Sequence, residues 1–337
     1  MMGSVRWGVL VTALAWVAAA RAGLCAPALP AGSTVAVVRA ERVLVPEGIR
    51  APAFLYPEGR VEFGVVERLL DHAVMATFGK DQGREAWRAL ISPGDRVGIQ
   101  IDVEGIEAHD AVLDCLVRRI SDAGVPLRNI IIYGGEESEL FRAGFDLSGR
   151  APGARVMASD ALGYRGGLSR VVLDHCTKII NLARLRVHPE LGMHGALATC
   201  LQSVPYPERT RLMREPERLP EAAANSALRR MIALHVLDAL FPILQYPPEG
   251  GDPRTWQFGG VLASTDPVAL DVIGRQVLLG RLREEQPGLE DLNPPVTYLQ
   301  PATDTYRLGN CDPAVIDVTE LWPLGEPAPT GEAQGGG

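Results

Sequence analysis

The chain has 337 residues, more than the roughly 100 to 200 of a typical domain, which leaves room for one large α/β core with insertions. Hydrophobic residues make up 47% and charged residues 22%, the balance of an ordinary water-soluble fold, which argues against a disordered chain or a membrane bundle. The formal net charge of −8 argues against nucleic acid as a partner, because phosphates demand clustered basic charge.

At the amino terminus Arg6 precedes an apolar run over residues 8–20, and Ala20-Arg21-Ala22 fits an A-x-A cleavage site before Gly23. Residues 1–22 read as a secretory leader, so the mature chain is expected to be exported, periplasmic or extracellular. A run of about 13 apolar residues falls short of the ~20 of a spanning helix, so no stable membrane span is expected once the leader is removed. A lipid anchor at Cys25 is the alternative, against which Leu24 stands where lipoprotein leaders carry a small residue. The five cysteines, Cys25, Cys115, Cys176, Cys200 and Cys311, show no C-x-x-C spacing, so no iron–sulfur cluster is expected; any other cofactor stays unknown. Export would permit disulfides, and the three pairings of the last four cysteines stay open. Cys115 falls in an apolar helical pattern, which favours an inert buried thiol.

Residues 34–38 read as a β run and 42–45 as a short second one. Over 62–78, Phe63, Val66, Leu69, Leu70, Ala73, Val74 and Phe78 recur at helical spacing and Gly79 supplies a stop. A shorter helix around 85–91 ends at the turn Pro93-Gly94-Asp95. A strand at 96–101, a helix at 110–121 stopped at Gly124 and an apolar strand at 129–133 form a βαβ unit, which implies parallel pairing and a right-handed crossover. The fold class is therefore α/β, a doubly wound, mostly parallel sheet with helices on both faces. Further strands are expected at 155–158 and 178–182. The proline-punctuated stretch 203–221 reads as a solvated surface loop, with a lid as the alternative. A helix over 222–240, a strand over 258–263 and a helix opened by Asp266-Pro267 follow. Residues 23–324 are taken as one domain, and the Gly/Pro-rich tail at 325–337 as disordered.

Several stretches in order resemble the domain of unknown function 362 family over residues 94–321. They are Asp122-Ala123-Gly124-Val125-Pro126 with the apolar strand after it, Lys178-Ile179-Ile180-Asn181-Leu182 leading to Arg186-Val187-His188, and His235-Val236-Leu237-Asp238. Ala263-Ser264-Thr265-Asp266-Pro267 through Asp271 and Leu308-Gly309-Asn310-Cys311-Asp312-Pro313 complete the series. The resemblance is to an exported member lacking a ferredoxin-type cluster module, and it supplies no reaction. Where relatives carry a lysine and an asparagine after the first core strand, this chain has Gln100 and Asp102. The relatives' Asp-Arg pair falls at Gly134-Gly135, and their Leu-Lys-Asn step at Leu197-Ala198-Thr199.

Ligands of open α/β sheets bind beyond the carboxyl ends of strands. This selects Asp102, then Gly134 and Gly135, then Arg186 and His188, as residues that could share one cleft. Arg186 suits a carboxylate or phosphate and His188 suits acid, base or metal-ligand work; the plain alternative is a salt-bridged arginine and a loop histidine fixed by the backbone. His194 could join His188 on a metal only across a bend. Asp238, on an apolar pattern, needs a partner if buried, or else marks a solvent edge. Together Arg186, His188 and Asp238 are the candidate catalytic groups, with Asp102, Gly134, Gly135, Asp266 and Asp271 as ligand-binding candidates. Asp266 also reads as a helix cap and Asp271 as the partner of Arg275 in a surface ion pair. Glutamates beside Gly134-Gly135 argue against a phosphate loop. The expected function is binding of a small anionic ligand or a metal. The rival classes are a non-catalytic scaffold and a metal-assisted hydrolase or isomerase.

Overall fold

The computed structural model describes residues 32–44, 60–103, 109–145, 147, 153–247 and 251–322; the leader at 1–22, Cys25, residue 45 of the second β run and the tail at 325–337 lie outside them. Its strands are β1 (Ser33–Arg39), β2 (Val97–Ile101), β3 (Ile130–Gly134), β4 (Arg155–Ala158), β5 (Tyr164–Arg165), β6 (Leu168–Ser169), β7 (Lys178–His188), β8 (Gly192–His194), β9 (Ile232–Gln245), β10 (Arg254–Thr255), β11 (Gly260–Ser264) and β12 (Ile316–Leu321). All but β5 and β6 join one sheet in the order β12-β1-β11-β9-β7-β2-β3-β4, with β8 paired to β7 and β10 to β9. The central strands β9, β7, β2, β3 and β4 are mutually parallel. Antiparallel β11 links them to the parallel pair of β1 and β12.

Helices cover both faces of the sheet. α1 (Phe63–Phe78), α2 (Gly83–Leu90) and α3 (Asp110–Asp122) pack on one face, where Val66, Leu69, Leu116 and Ile120 meet Ile99, Ile180 and Val236. On the other face α5 (Arg170–His175), α6 (Ala196–Thr199) and α10 (Pro267–Glu285) pack against Ile179, Ala183, Leu185 and Leu237. Successive β7 residues thus enter opposite cores, as period-2 alternation requires, and from Ile179 to Arg186 the strand is buried on both faces. Each such buried Leu, Ile or Val contributes roughly 1.5–3 kcal/mol.

Three expectations are corrected. The helix expected over 222–240 is instead α8 (Pro220–Ala224), α9 (Ser226–Met231) and the first half of β9. Asn225 restarts the chain by accepting the amides of Ala227 and Leu228. From Leu234 to Leu240 every residue is buried, so the apolar run lacks the polar stripe that would tell strand from helix. Residues 203–221 are no solvated loop: α7 (Tyr206–Arg214), a 3₁₀ turn and α8 fill them, with Leu212 and Leu219 in the core. Their prolines stand in first turns, where a missing N–H costs nothing. The β run expected at 42–45 is reduced, among the described residues, to a single bridge between Leu44 and Val61.

α4 (Glu137–Arg142) and α11 (Leu299–Asp304) complete the helices named here. Among the described residues no helix is long and apolar enough to cross a membrane.

Candidate functional site

The direction in which the chain leaves the sheet defines a crevice. After β2 it crosses the first face through α3 and moves outward to β3; after β7 it crosses the opposite face through α6, α8 and α9 and moves the other way to β9. Helices diverging from adjacent parallel strands leave a gap at their carboxyl ends, so β2 and β7 flank the topological switch point.

Asp102, the first residue after β2, and Arg186, near the end of β7, meet at this point. The Arg186 guanidinium donates to Asp102 Oδ2 at 2.6 Å, with both side chains almost wholly buried. The same Nη2 lies 3.0 Å from His194 Nδ1, which as acceptor leaves the ring proton on Nε2. Nε2 faces Asp102 at 3.2 Å and Thr199 Oγ1 at 3.1 Å, and Thr199 in turn donates to the Gly195 carbonyl. On the other Asp102 oxygen Gln202 donates at 3.1 Å, and Gln202 Oε1 accepts from the Gly135 amide and from Arg209, both at 2.9 Å. Arg209 also holds Glu139 at 2.9 Å, and its buried Nε has no partner among the described residues. Tyr246 touches Arg186 from the far side at 3.4 Å, and burial raises its hydroxyl above the ordinary tyrosine range.

A second carboxylate lies one strand over. Asp238, wholly buried on β9, sits in register with Arg184 of β7. Alternation puts Arg184 on the same face as Arg186, while Ala183 and Leu185 point into the opposite core. Asp238 Oδ2 receives both the backbone amide and the ring Nδ1 of His109 at 2.7 Å, and Oδ1 receives the Leu240 amide at 3.0 Å. Burial pushes the Asp238 carboxyl up, but His109, by charge and hydrogen bond, and then Arg184 hold it below the usual carboxylate value. His109 directly precedes α3 and meets β9, which β7 separates from β2 in the sheet. Arg184 itself donates to the Phe241 carbonyl at 3.0 Å.

The remaining candidates have other posts. His188 Nδ1 accepts the amides of Glu190 and Leu191, each at 3.2 Å, which fixes the turn into β8; its ring centroid lies 6.0 Å from that of His194. Gly134 and Gly135 are required by space. A Cβ on Gly134 would strike the Ile101 carbonyl, and one on Gly135, whose φ is 44°, would strike Val103. Asp266 stands at the opposite end of the sheet, because β11 runs against β9. There it caps α10 through the amides of Val268 and Ala269 and accepts from Ser33 and Asn310. Asp271 does not form the surface ion pair expected of it: Arg275 turns to Asp291 at 2.8 Å. Asp271 is buried, accepting the Ala196 and Leu197 amides at 2.6 and 3.0 Å at the start of α6. Burial pushes its carboxyl up to about 7 despite the pull of those amides.

Beside the crevice a cavity of about 490 Å³ is walled by Val103, Glu139, Arg142, Tyr206, Arg209 and Arg214, a size suited to a small molecule. Among the described residues no group of three or more His, Cys, Asp or Glu side chains is placed to hold a metal ion. Cys115, Cys176, Cys200 and Cys311 are free thiols, and burial pushes Cys115 up to about 12, which makes it inert.

Residues 167–276, from the β5–β6 turn to the middle of α10, match the model of the domain of unknown function (DUF362) family. This segment, 110 of the 337 residues, is what the chain shares with that family. The matched segment contributes Arg184, Arg186, His194, Arg209 and Asp238 to the crevice, while Asp102 and His109 come from outside it. No curated protein matches the chain.

His109, Arg184, Gln202 and Arg209 were not singled out by the sequence. Arg184 had a signal, since it shares a strand face with Arg186 two residues away; Arg209 was hidden by the reading of its segment as a loop.

Proposed function

We propose that the protein binds a small anionic ligand, a carboxylate or a phosphate, in the crevice between β2 and β7 and the adjoining cavity. The observation that carries this is the concentration of three buried arginines, Arg184, Arg186 and Arg209, at the switch point of the sheet. Burying a guanidinium costs several kcal/mol unless paired, and hydrophobic residues would pack there as stably, so the charges argue for a binding role. Arg142 and Arg214 add two exposed guanidiniums on the cavity wall, against Glu190 and against Glu139, which Arg209 already neutralises. A carboxylate or phosphate arriving there meets forked donors suited to two-pronged contacts.

The test is a thermal-shift titration with succinate and with inorganic phosphate. Wild-type protein is expected to be stabilised by at least one of the two, and the Arg142→Ala, Arg214→Ala double variant to lose most of that shift. Both side chains are exposed, so the variant should fold like wild type. Equal shifts in the two proteins, or none in either, would reject the cavity as the site. Export is proposed alongside, on the composition of residues 1–22, and is checked by sequencing the amino terminus of protein recovered from the cell envelope, with Gly23 expected first.

A further inference from the structure

At the end of the sheet opposite the crevice, where β1 and β9 begin and β11 ends, a cavity of about 360 Å³ has Arg229, Ile232, His235, Thr265, Asp266 and Leu308 in its wall. His235 is only 4% exposed, and its ring is fixed from one side. The Asn181 amide nitrogen donates to the Ala196 carbonyl at 2.7 Å, which sets the orientation of that amide, and its second hydrogen goes to His235 Nδ1 at 2.9 Å. Nδ1 is therefore an acceptor and the ring proton sits on Nε2, which has no partner among the described residues. Burial pushes the imidazole down to about 3, so at neutral pH it is an uncharged N–H donor. So enclosed a donor is costly to leave unmatched, and the cavity gives room for an acceptor.

The charges on the wall leave one positive group unbalanced. Asp266 has both oxygens filled, Oδ1 by the Val268 and Ala269 amides and Oδ2 by the Ser33 hydroxyl and the Asn310 amide, and its charge stands on the positive end of the 19-residue α10. Arg229 donates to the Arg307 carbonyl and meets no carboxylate among the described residues. Thr265 adds an exposed hydroxyl, and Ile232 and Leu308 an apolar flank. We infer that this cavity is a second binding site, for a short aliphatic monocarboxylate, whose carboxylate takes the His235 Nε2–H and the Arg229 guanidinium while its alkyl chain lies on Ile232 and Leu308. A single negative charge matches the one unbalanced guanidinium. A phosphate dianion would face the Asp266 carboxylate with an uncharged imidazole as its other donor, which disfavours it. The site stands independently of the ligand proposed for the crevice.

The experiment titrates the full chain at neutral pH with sodium butyrate and, separately, with 1-butanol and inorganic phosphate. It follows the His235 ring ¹⁵N signals, assigned with His235→Gln, and the Arg229 ¹⁵Nε signal. Butyrate is expected to shift both groups saturably, with the proton kept on His235 Nε2, while butanol and phosphate leave them in place. Arg229→Gln, a change at a half-buried surface residue, should weaken butyrate about tenfold, the loss of one charge-assisted contact. Should His235→Gln fail to fold, the Arg229 signal and the affinity of Arg229→Gln decide. Butyrate that moves neither group, or binds Arg229→Gln as tightly as wild type, overturns the site. A response to butanol or to phosphate as strong as that to butyrate overturns the monocarboxylate as its ligand. Both reporters lie away from the crevice, so each outcome bears on this cavity alone.

Discussion

Arg186 and Asp102 form a buried ion pair whose worth depends on what replaces it. Removing one partner strands a charge in a low-dielectric site, so Arg186→Ala is expected to cost about 3–5 kcal/mol. Replacing both, as in Asp102→Leu with Arg186→Met, should recover most of that loss, because the solvation penalty of both ions disappears with the attraction. Urea unfolding of the two variants checks the contrast; equal losses would mean that the pair stabilises through packing alone. Asp271 makes a separate prediction with a definite sign. Its folded carboxyl, at about 7, stands above the ordinary 3.8, so the native state holds the proton longer than the unfolded chain. Its stabilising contribution is complete below about pH 4 and is lost as pH rises towards 7, on the order of 4 kcal/mol in total. Asp271→Asn removes that slope. The stability of wild type minus that of the variant should therefore fall between pH 4.5 and 7, and a flat difference would contradict the assigned proton. Buried His235, pushed down to about 3, acts in the opposite sense in both proteins and cancels in the subtraction.

The elements show why part of this site was legible and part was not. Asp102 and Arg186 follow from a rule about strand ends that needs only the order of strands, so their meeting could be anticipated. His109 escaped because nothing in its sequence neighbourhood tells that it meets a strand two places from β2 in the sheet. Asp238 was recognised as a carboxylate in need of a partner, although its strand was read as a helix. A run buried on both faces has neither period 2 nor period 3.6 in its polarity, so β9 could be told from a helix only by pairing partners distant in sequence. If β9 is the central strand described here, its amides from His235 to Asp238 should be among the slowest in the chain to exchange with deuterium, being buried and paired on both sides. Fast exchange there would contradict the topology. At the neighbouring strand end, Gly134→Ala should destabilise by about 1–3 kcal/mol in urea unfolding, because the added methyl meets backbone.

Across the whole molecule, two helical layers hold a sheet whose chain reverses direction of winding between β2 and β7, and the buried arginines stand at that reversal. The central claim is that these guanidiniums serve an anionic ligand. The most direct measurement follows the ¹⁵Nε resonances of Arg184, Arg186 and Arg209 during titration with succinate and, separately, phosphate. The account predicts saturable shifts of Arg209 and at least one of the other two, while Arg119 and Arg211, ion-paired away from the crevice, stay in place. Saturation that moves only Arg119, Arg211 or other surface arginines, with the three buried ones unchanged, would contradict it.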